Sequence, residues 1–397
     1  GMSRVLTVNN AAAVFARGLV VWAGPERMMP AAIDLSGADE IDACGNAVIP
    51  GLVECHTHLL FAGSRIADFE RRCSGDSYGS AARGDGGIMS TVRATREAPA
   101  GVLLETGRRR LDGFLTRGVT TVEIKSGYGL DTATELRLLE TSALLGSTHR
   151  VRVVPTFLGA HTIPAEYLGN REGYVGLVIG EMLPAVASRG LAMFCDVFCD
   201  EGAFTAGEAR RILVAARSHG MKLKIHADQL TRCGGAELAG ELGAVSADHL
   251  DCVSDAGIEA LRRAGTTAVM LPASTMFTGS QRHAPARKII DSGVRVAVST
   301  DYNPGSSNTR DLALAGTIAC TQMKLTPGEA LCAVTINAAA ALSLDTEIGS
   351  VEPGKAADMV VMKSNDWRDL FYCMGENMAG VVIKGGAVAA GAISSLA

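Results

Sequence analysis

Eight apolar runs of strand length recur along the middle of this chain, at 49–55, 119–124, 151–157, 193–199, 222–226, 244–248, 267–271 and 294–300. Stretches with helical spacing lie between them. Over 131–145, Leu136, Leu139, Ala143 and Leu144 predict one shared helix face, and over 205–217 Ala209, Ile212, Leu213 and Ala216 predict another. Strands joined by helices pair in parallel, because a tight turn cannot return the chain to a parallel register. Eight such units are the number that closes an α/β barrel of the TIM-like (β/α)8 type, which takes about 250 residues. The span 49–345 holds that barrel with insertions. The largest insertion, 59–118, separates the first two strands. Its Ala62-Gly63-Ser64-Arg65 and Arg83-Gly84-Asp85-Gly86-Gly87 runs suggest a loop lying over the barrel mouth.

The two ends differ from the middle. Residues 4–9 and 19–23 read as short strands, as do 358–362 and 381–384, with Gly385-Gly386 as a turn. Strand-rich ends can pair with each other. The expected organisation is a small β-sandwich domain from 1–48 and 346–397, with the barrel at 49–345 inserted between its halves. Trp367 and Tyr372, near the return to the small domain, are expected in the core.

Composition narrows the function. Lys plus Arg is 37 against 42 for Asp plus Glu, a net charge of −5, so no basic surface recommends a nucleic-acid partner. With 47% hydrophobic and 20% charged residues, the chain can bury a core and is not a disordered one. No apolar run approaches membrane-spanning length, and no secretion signal is visible, so a cytoplasmic location is expected. The ten cysteines include no Cys-x-x-Cys pair and several sit in apolar runs, which predicts free buried thiols in a reducing compartment.

Five of the eight histidines fall at the C-terminal ends of predicted strands. His56 and His58 end the first, His161 follows the third, His226 ends the fifth and His249 the sixth, while Asp301 ends the eighth. In a (β/α)8 barrel these ends meet on one face, and that face carries the active site. His56 and His58 alternate on a strand, so both rings point to the same side. Adding His226 and Asp301 gives three nitrogens and one oxygen, a set that suits zinc or iron with a position left open for water. A lysine bridging two metals would end the fourth strand. That strand instead ends Cys199-Asp200-Glu201, and Lys125, which ends the second, reads as half of a structural ion pair. One metal ion per chain is expected.

Several strings are more specific. They are His56-Thr57-His58 after Pro50-Gly51, His226-Ala227-Asp228, Ser246-Ala247-Asp248-His249 and Ser299-Thr300-Asp301. With them stand Phe61-Ala62-Gly63-Ser64-Arg65, Glu123-Ile124-Lys125-Ser126-Gly127-Tyr128-Gly129-Leu130, Thr156-Phe157-Leu158-Gly159-Ala160-His161 and Asp301-Tyr302-Asn303-Pro304-Gly305-Ser306. Together they resemble the amidohydrolase superfamily from about 48 to 385. The match is narrower with its branch that opens 4-imidazolone-5-propanoate to N-formimidoyl-L-glutamate in histidine degradation. The resemblance implies a metal-dependent hydrolase with His56, His58, His226 and Asp301 as ligands. It implies substrate contacts at Arg65, Tyr128, His161, Gln229, Asn303, Gly305 and Ser306, catalysis by Asp301 and His249, a small carboxylate substrate and a homodimer. A guanidinium can grip a carboxylate through two parallel hydrogen bonds, which makes Arg65 a sensible anchor.

The competing reading is a hydrolytic deaminase of a purine, pyrimidine or related heterocycle on the same scaffold. That chemistry wants a glutamate at 229 as a proton shuttle, and Gln229 has no titratable proton. A catalytically silent barrel would show a broken ligand set, and here all four ligands are present. Arg282 and His283 have no role in either reading.

Overall fold

The structure is a computed structural model that describes residues 4–75 and 86–392. The chain opens with a hairpin of β1 (Ala11–Ala16) and β2 (Leu19–Pro25). Its two-residue turn, Arg17-Gly18, has φ of 53° and 81°, the paired positive values that a tight hairpin favours. The strand expected at 4–9 is irregular instead, and Leu6 is 88% exposed. The turn dictates the pairing here, so the alanine-rich 11–16 becomes the strand despite weaker propensity.

The first apolar run is split. β3 (Val48–Pro50) joins a small sheet, and β4 (Leu52–Glu54) starts the barrel. Gly51 is the joint. Its N–H donates to the Asp358 carbonyl at 2.8 Å, and a Cβ there would lie 2.4 Å from Thr120 Oγ1. The barrel continues as β5 (Val119–Lys125), β6 (Arg152–Ala160), β7 (Phe194–Cys199), β8 (Lys222–Ala227), β9 (Ser246–His249), β10 (Thr267–Met270) and β11 (Val296–Val298). These eight strands hydrogen-bond in chain order, all parallel. Past the last regular residues, a parallel bridge joins Thr57 to Tyr302, and the His58 N–H reaches the Tyr302 carbonyl at 2.9 Å. That bridge draws the first and last strands together where the histidines sit.

The crossover helices carry their own start signals. Thr205 and Glu208 form a reciprocal capping box before Ala206–Ser218, which buries Ala209, Ile212, Leu213 and Ala216 as the spacing predicts. Asp131 caps Thr132–Thr148, but that helix buries Leu138, Leu139, Ser142 and Leu145, and Leu144 is 46% exposed. The buried stripe includes Thr134, Glu135, Thr141 and Ser142, and this polar content hid it from a count of apolar spacing. The insertion is also less loop-like than expected, since Ile66–Cys73, Gly87–Glu97 and Ala100–Leu115 are helices. Arg65 and Gly86 are their boundary residues, so the glycine and polar runs mark helix starts. Positions 83–85 lie outside the described residues.

At the far end, β12 (Met359–Met362), β13 (Ala379–Lys384) and β14 (Ala387–Gly391) complete an antiparallel sheet in the order β14-β13-β12-β3. Both ends of the chain therefore share a core, in which Phe15 and Val20 meet Met359, Val361, Val381, Ile383 and Val388. Trp367 packs partly buried against the main core, whereas Tyr372 is 84% exposed because its short helix buries Leu370 and Phe371. All ten cysteines are free; Cys44 and Cys73 are exposed rather than buried. Among the described residues, no helix is long and apolar enough to cross a membrane.

Candidate active site

The barrel delivers its histidines to one rim. His56 and His58 follow β4, His226 lies within β8, His249 ends β9, and Asp301 follows β11. All five are buried. Asp301 Oδ1 lies 3.5 Å from His56 Nε2 and 3.6 Å from His58 Nε2, and His226 Nε2 is 3.4 Å from His58 Nε2. Potential ligand atoms of His56, His58 and Asp301 all lie within 4.8 Å of one another, as do those of His56, His226 and His249. His249 and Asp301 take φ of 77° and 55°, a left-handed backbone that side chains seldom adopt and that clusters at functional sites.

Two of the rings have a carboxylate behind them. His56 Nδ1 hydrogen-bonds Asp248 Oδ2 at 2.6 Å, and His226 Nδ1 lies 3.0 Å from Asp196 Oδ2 without forming a hydrogen bond. A carboxylate on Nδ1 leaves Nε2 as the free lone pair. His56 Nε2 has no hydrogen-bond partner among the described residues although it is buried. Burial, reinforced by the Lys125 charge, holds His56 well below the usual imidazole range. Burial and the neighbouring His161 do the same for His58, so both rings are neutral. Burial raises Asp301 to about 6, against the opposing influence of the nearby Ser274, His226, Asn303 and Ser306 side chains. Neutral imidazoles, an unpartnered nitrogen and a carboxylate at one point fit a metal cation.

The other expected site residues gather around this rim. The His161 ring lies against His58, and Tyr128 lies 5.4 Å from His161 and 5.8 Å from His58, centroid to centroid. Arg65 bonds Asp68 through Nε, and a Cβ on Gly305 would lie 3.1 Å from its Nη1. Asn303 shapes the loop after Asp301. Its Oδ1 accepts the Gly305 and Ser306 N–H groups, and its Nδ2 donates to the Asp301 carbonyl and to Ser306 Oγ. Gln229 is half-buried on the loop after β8, with its N–H on Asp200 Oδ2 at 2.8 Å.

Sequence reasoning passed over the residues that hold these loops. Glu135 accepts the N–H groups of Gly127, Gly129 and Leu130 and thereby fixes the loop carrying Tyr128. Asp200 accepts those of Gln229, Leu230 and Thr231. Asp228 accepts from Cys233, Gly234 and Ala236 at the start of Gly235–Leu242. Acidic residues beside glycine-rich turns were the available signal for Glu135 and Asp228. Asp196 had none, and Asp248, although part of the Ser246-Ala247-Asp248-His249 string, was given no role of its own, since the target of each lies in another strand. Arg282 Nη1 contacts Cys252 Sγ at 3.0 Å, and His283 is partly buried.

A parallel barrel whose rim joins histidines to one carboxylate defines a class of metal-dependent hydrolases. The amidohydrolase family model matches residues 47–388. Imidazolonepropionase of Solibacter usitatus is 50% identical over 89% of this chain and 84% of its own. That of Geobacillus thermodenitrificans is 46% identical over 98% of this chain and 92% of its own. An adenosine deaminase structure from Xanthomonas campestris with bound zinc superposes with a TM-score of 0.72 at 18% identity, covering 97% of this chain and 89% of that one. The chain belongs to the amidohydrolase family and, within it, to the imidazolonepropionases.

Proposed function

We propose that this enzyme hydrolyses 4-imidazolone-5-propanoate to N-formimidoyl-L-glutamate, with one zinc or iron ion per chain held by His56, His58, His226 and Asp301. The observation that carries the reading is the placement of Arg65. Its guanidinium lies against Gly305, four residues after the candidate base, so a carboxylate arm gripped there leaves a ring over the histidine rim. A cation bound at that rim would lower the pKa of a water to near neutrality and polarise a carbonyl.

The side chains then divide the work. Arg65 holds the propanoate arm, and Tyr128 and His161 border the ring. Asp301 takes a proton from water as its oxygen adds to the ring carbonyl carbon. His249, on the strand next to that of His226, stabilises the developing oxyanion. The carbon–nitrogen bond of the cyclic amide breaks, and Asp301 returns the proton to the departing nitrogen. Gln229 orients substrate, and Asn303, Gly305 and Ser306 form the wall beside Arg65. The amide at 229 weighs against nucleobase deamination, which needs an acid there.

Two measurements test this. Purified enzyme should abolish the imidazolone absorbance and release no ammonia from nucleobases; the reverse pattern overturns the reading. Elemental analysis should give one metal ion per chain, and two ions would contradict the mononuclear site.

A further inference from the structure

The reaction uses the rim of the barrel and leaves unexplained a group of charges beneath it. Lys125, Lys224, Glu123, Asp196 and Asp248 are all fully buried. Lys125 ends β5, two residues after Glu123, so both project from the same face of the strand. Its Nζ lies 2.7 Å from Asp196 Oδ2, 2.9 Å from Glu123 Oε2 and 3.8 Å from Asp248 Oδ2. Two of these oxygens also face imidazoles: Asp248 Oδ2 hydrogen-bonds His56 Nδ1 at 2.6 Å, and Asp196 Oδ2 lies 3.0 Å from His226 Nδ1, close enough to pair although no hydrogen bond is formed.

We propose that Lys125 is a positioning residue for the metal. It holds Asp196 and Asp248 where they fix His56 and His226 as Nδ1–H tautomers, so that both Nε2 lone pairs meet at one point. This rests on the reading of those two histidines as ligands.

Each carboxylate has a second contact, made through its Oδ1 and not through the Oδ2 that faces Lys125. Asp248 Oδ1 accepts from Ser246 Oγ at 2.6 Å, and Asp196 Oδ1 accepts the His226 N–H at 3.2 Å. Glu123 is shared, with Lys224 Nζ on its Oε1 at 2.8 Å, and Lys224 also reaches the Cys55 carbonyl at 3.1 Å. Two lysines and three carboxyl groups are thus packed together directly below the rim. An ammonium surrounded by three carboxylates is also poorly placed to become a carbamate bridging two metals, because its nitrogen is already occupied. Remove the ammonium, and nothing anchors the pair of oxygens to each other. Either imidazole is then free to carry its proton on Nε2, which takes a lone pair away from the site.

The test is a Zn²⁺ titration of metal-free protein against a chromogenic chelator. It is accompanied by ¹⁵N chemical shifts of the histidine ring nitrogens and a thermal melt of each metal-free form. Lys125→Met should weaken zinc binding by roughly 10–100-fold, the usual effect of losing support behind a ligand. It should also shift His56 and His226 from pure Nδ1–H to a tautomer mixture. A folded Lys125→Met that binds zinc within twofold of wild type, with unchanged ring nitrogens, overturns the proposal. If Lys125→Met does not fold, Asp196→Asn and Asp248→Asn decide: weakened zinc binding in both supports the proposal, and binding within twofold in either overturns it. Wild-type protein that takes up no zinc would overturn the metal reading itself, and that arm is read first.

Discussion

His58 and His161 lie face to face, with ring centroids 4.7 Å apart and planes 14° apart. His161 meets the Gly127 carbonyl through Nδ1 at 2.9 Å, and burial, with repulsion from His226, lowers its pKa to about 3. The neutral ring is thus tied to the loop that carries Tyr128 while backing a candidate metal ligand. His161→Phe should keep the stack and lose the polar contact. Zinc content should stay at one per chain while kcat/KM falls roughly 10–100-fold, as for a lost hydrogen bond or two. Loss of zinc in this variant would assign the ring to holding His58 instead.

Arg65 is expected to act on binding. Asp68 takes its Nε, which turns the guanidinium toward the Gly305 loop. Arg65→Ala should cost about 2–4 kcal/mol, seen mainly as a raised KM, because a two-pronged charged contact is removed equally from substrate and transition state. Should kcat collapse while KM holds steady, Arg65 is not the carboxylate anchor.

Three substitutions rank the proton-handling groups. Asp301→Asn should abolish turnover, since it removes the base. His249→Ala should lower kcat by roughly 10²–10³, the usual loss for one oxyanion donor. Gln229→Glu should leave the rate within roughly tenfold, the scale of one altered orienting hydrogen bond. Steady-state kinetics at saturating substrate gives the order. Damage from Gln229→Ala equal to that from Asp301→Asn would move the proton shuttle to position 229.

Glu54 is expected to make the metal-free protein sensitive to pH. It is fully buried behind Asp301, bonded by Ser299 Oγ and close to the Thr300 and His56 N–H groups. Burial outweighs those bonds and raises its pKa from 4.5 to about 8. A carboxyl whose folded pKa is raised contributes stability that is complete below pH 4.5 and is lost as pH rises through about 8. The Tm of metal-free protein should therefore fall from pH 5 to 8. Glu54→Gln should flatten that slope and melt higher than wild type at pH 8. Parallel melting profiles for the two proteins would rule the effect out.

Much of this architecture is written locally. Apolar runs and helical spacing are properties of neighbouring residues, so the eight barrel strands and the buried face of Ala206–Ser218 could be read directly. The rim follows from one rule, that strand C-termini of such a barrel converge, and this rule alone brings His56, His58, His226, His249 and Asp301 together. The supports of that rim depend on distant pairings instead. Asp248 meets His56 across 192 positions, Ser299 meets Glu54 across 245, and Lys125 meets Asp196 across 71. No periodicity encodes which buried carboxylate faces which imidazole. The same holds for the break at Gly51, which depends on Thr120 behind it, and for the helix Thr132–Thr148, where Glu135 is buried because its carboxylate holds a loop. The chain by itself determined the strands and the side chains at their ends. Only closure of the barrel decided which charges would lie beneath the histidines, because burial and charge pairing arise from contacts made in three dimensions.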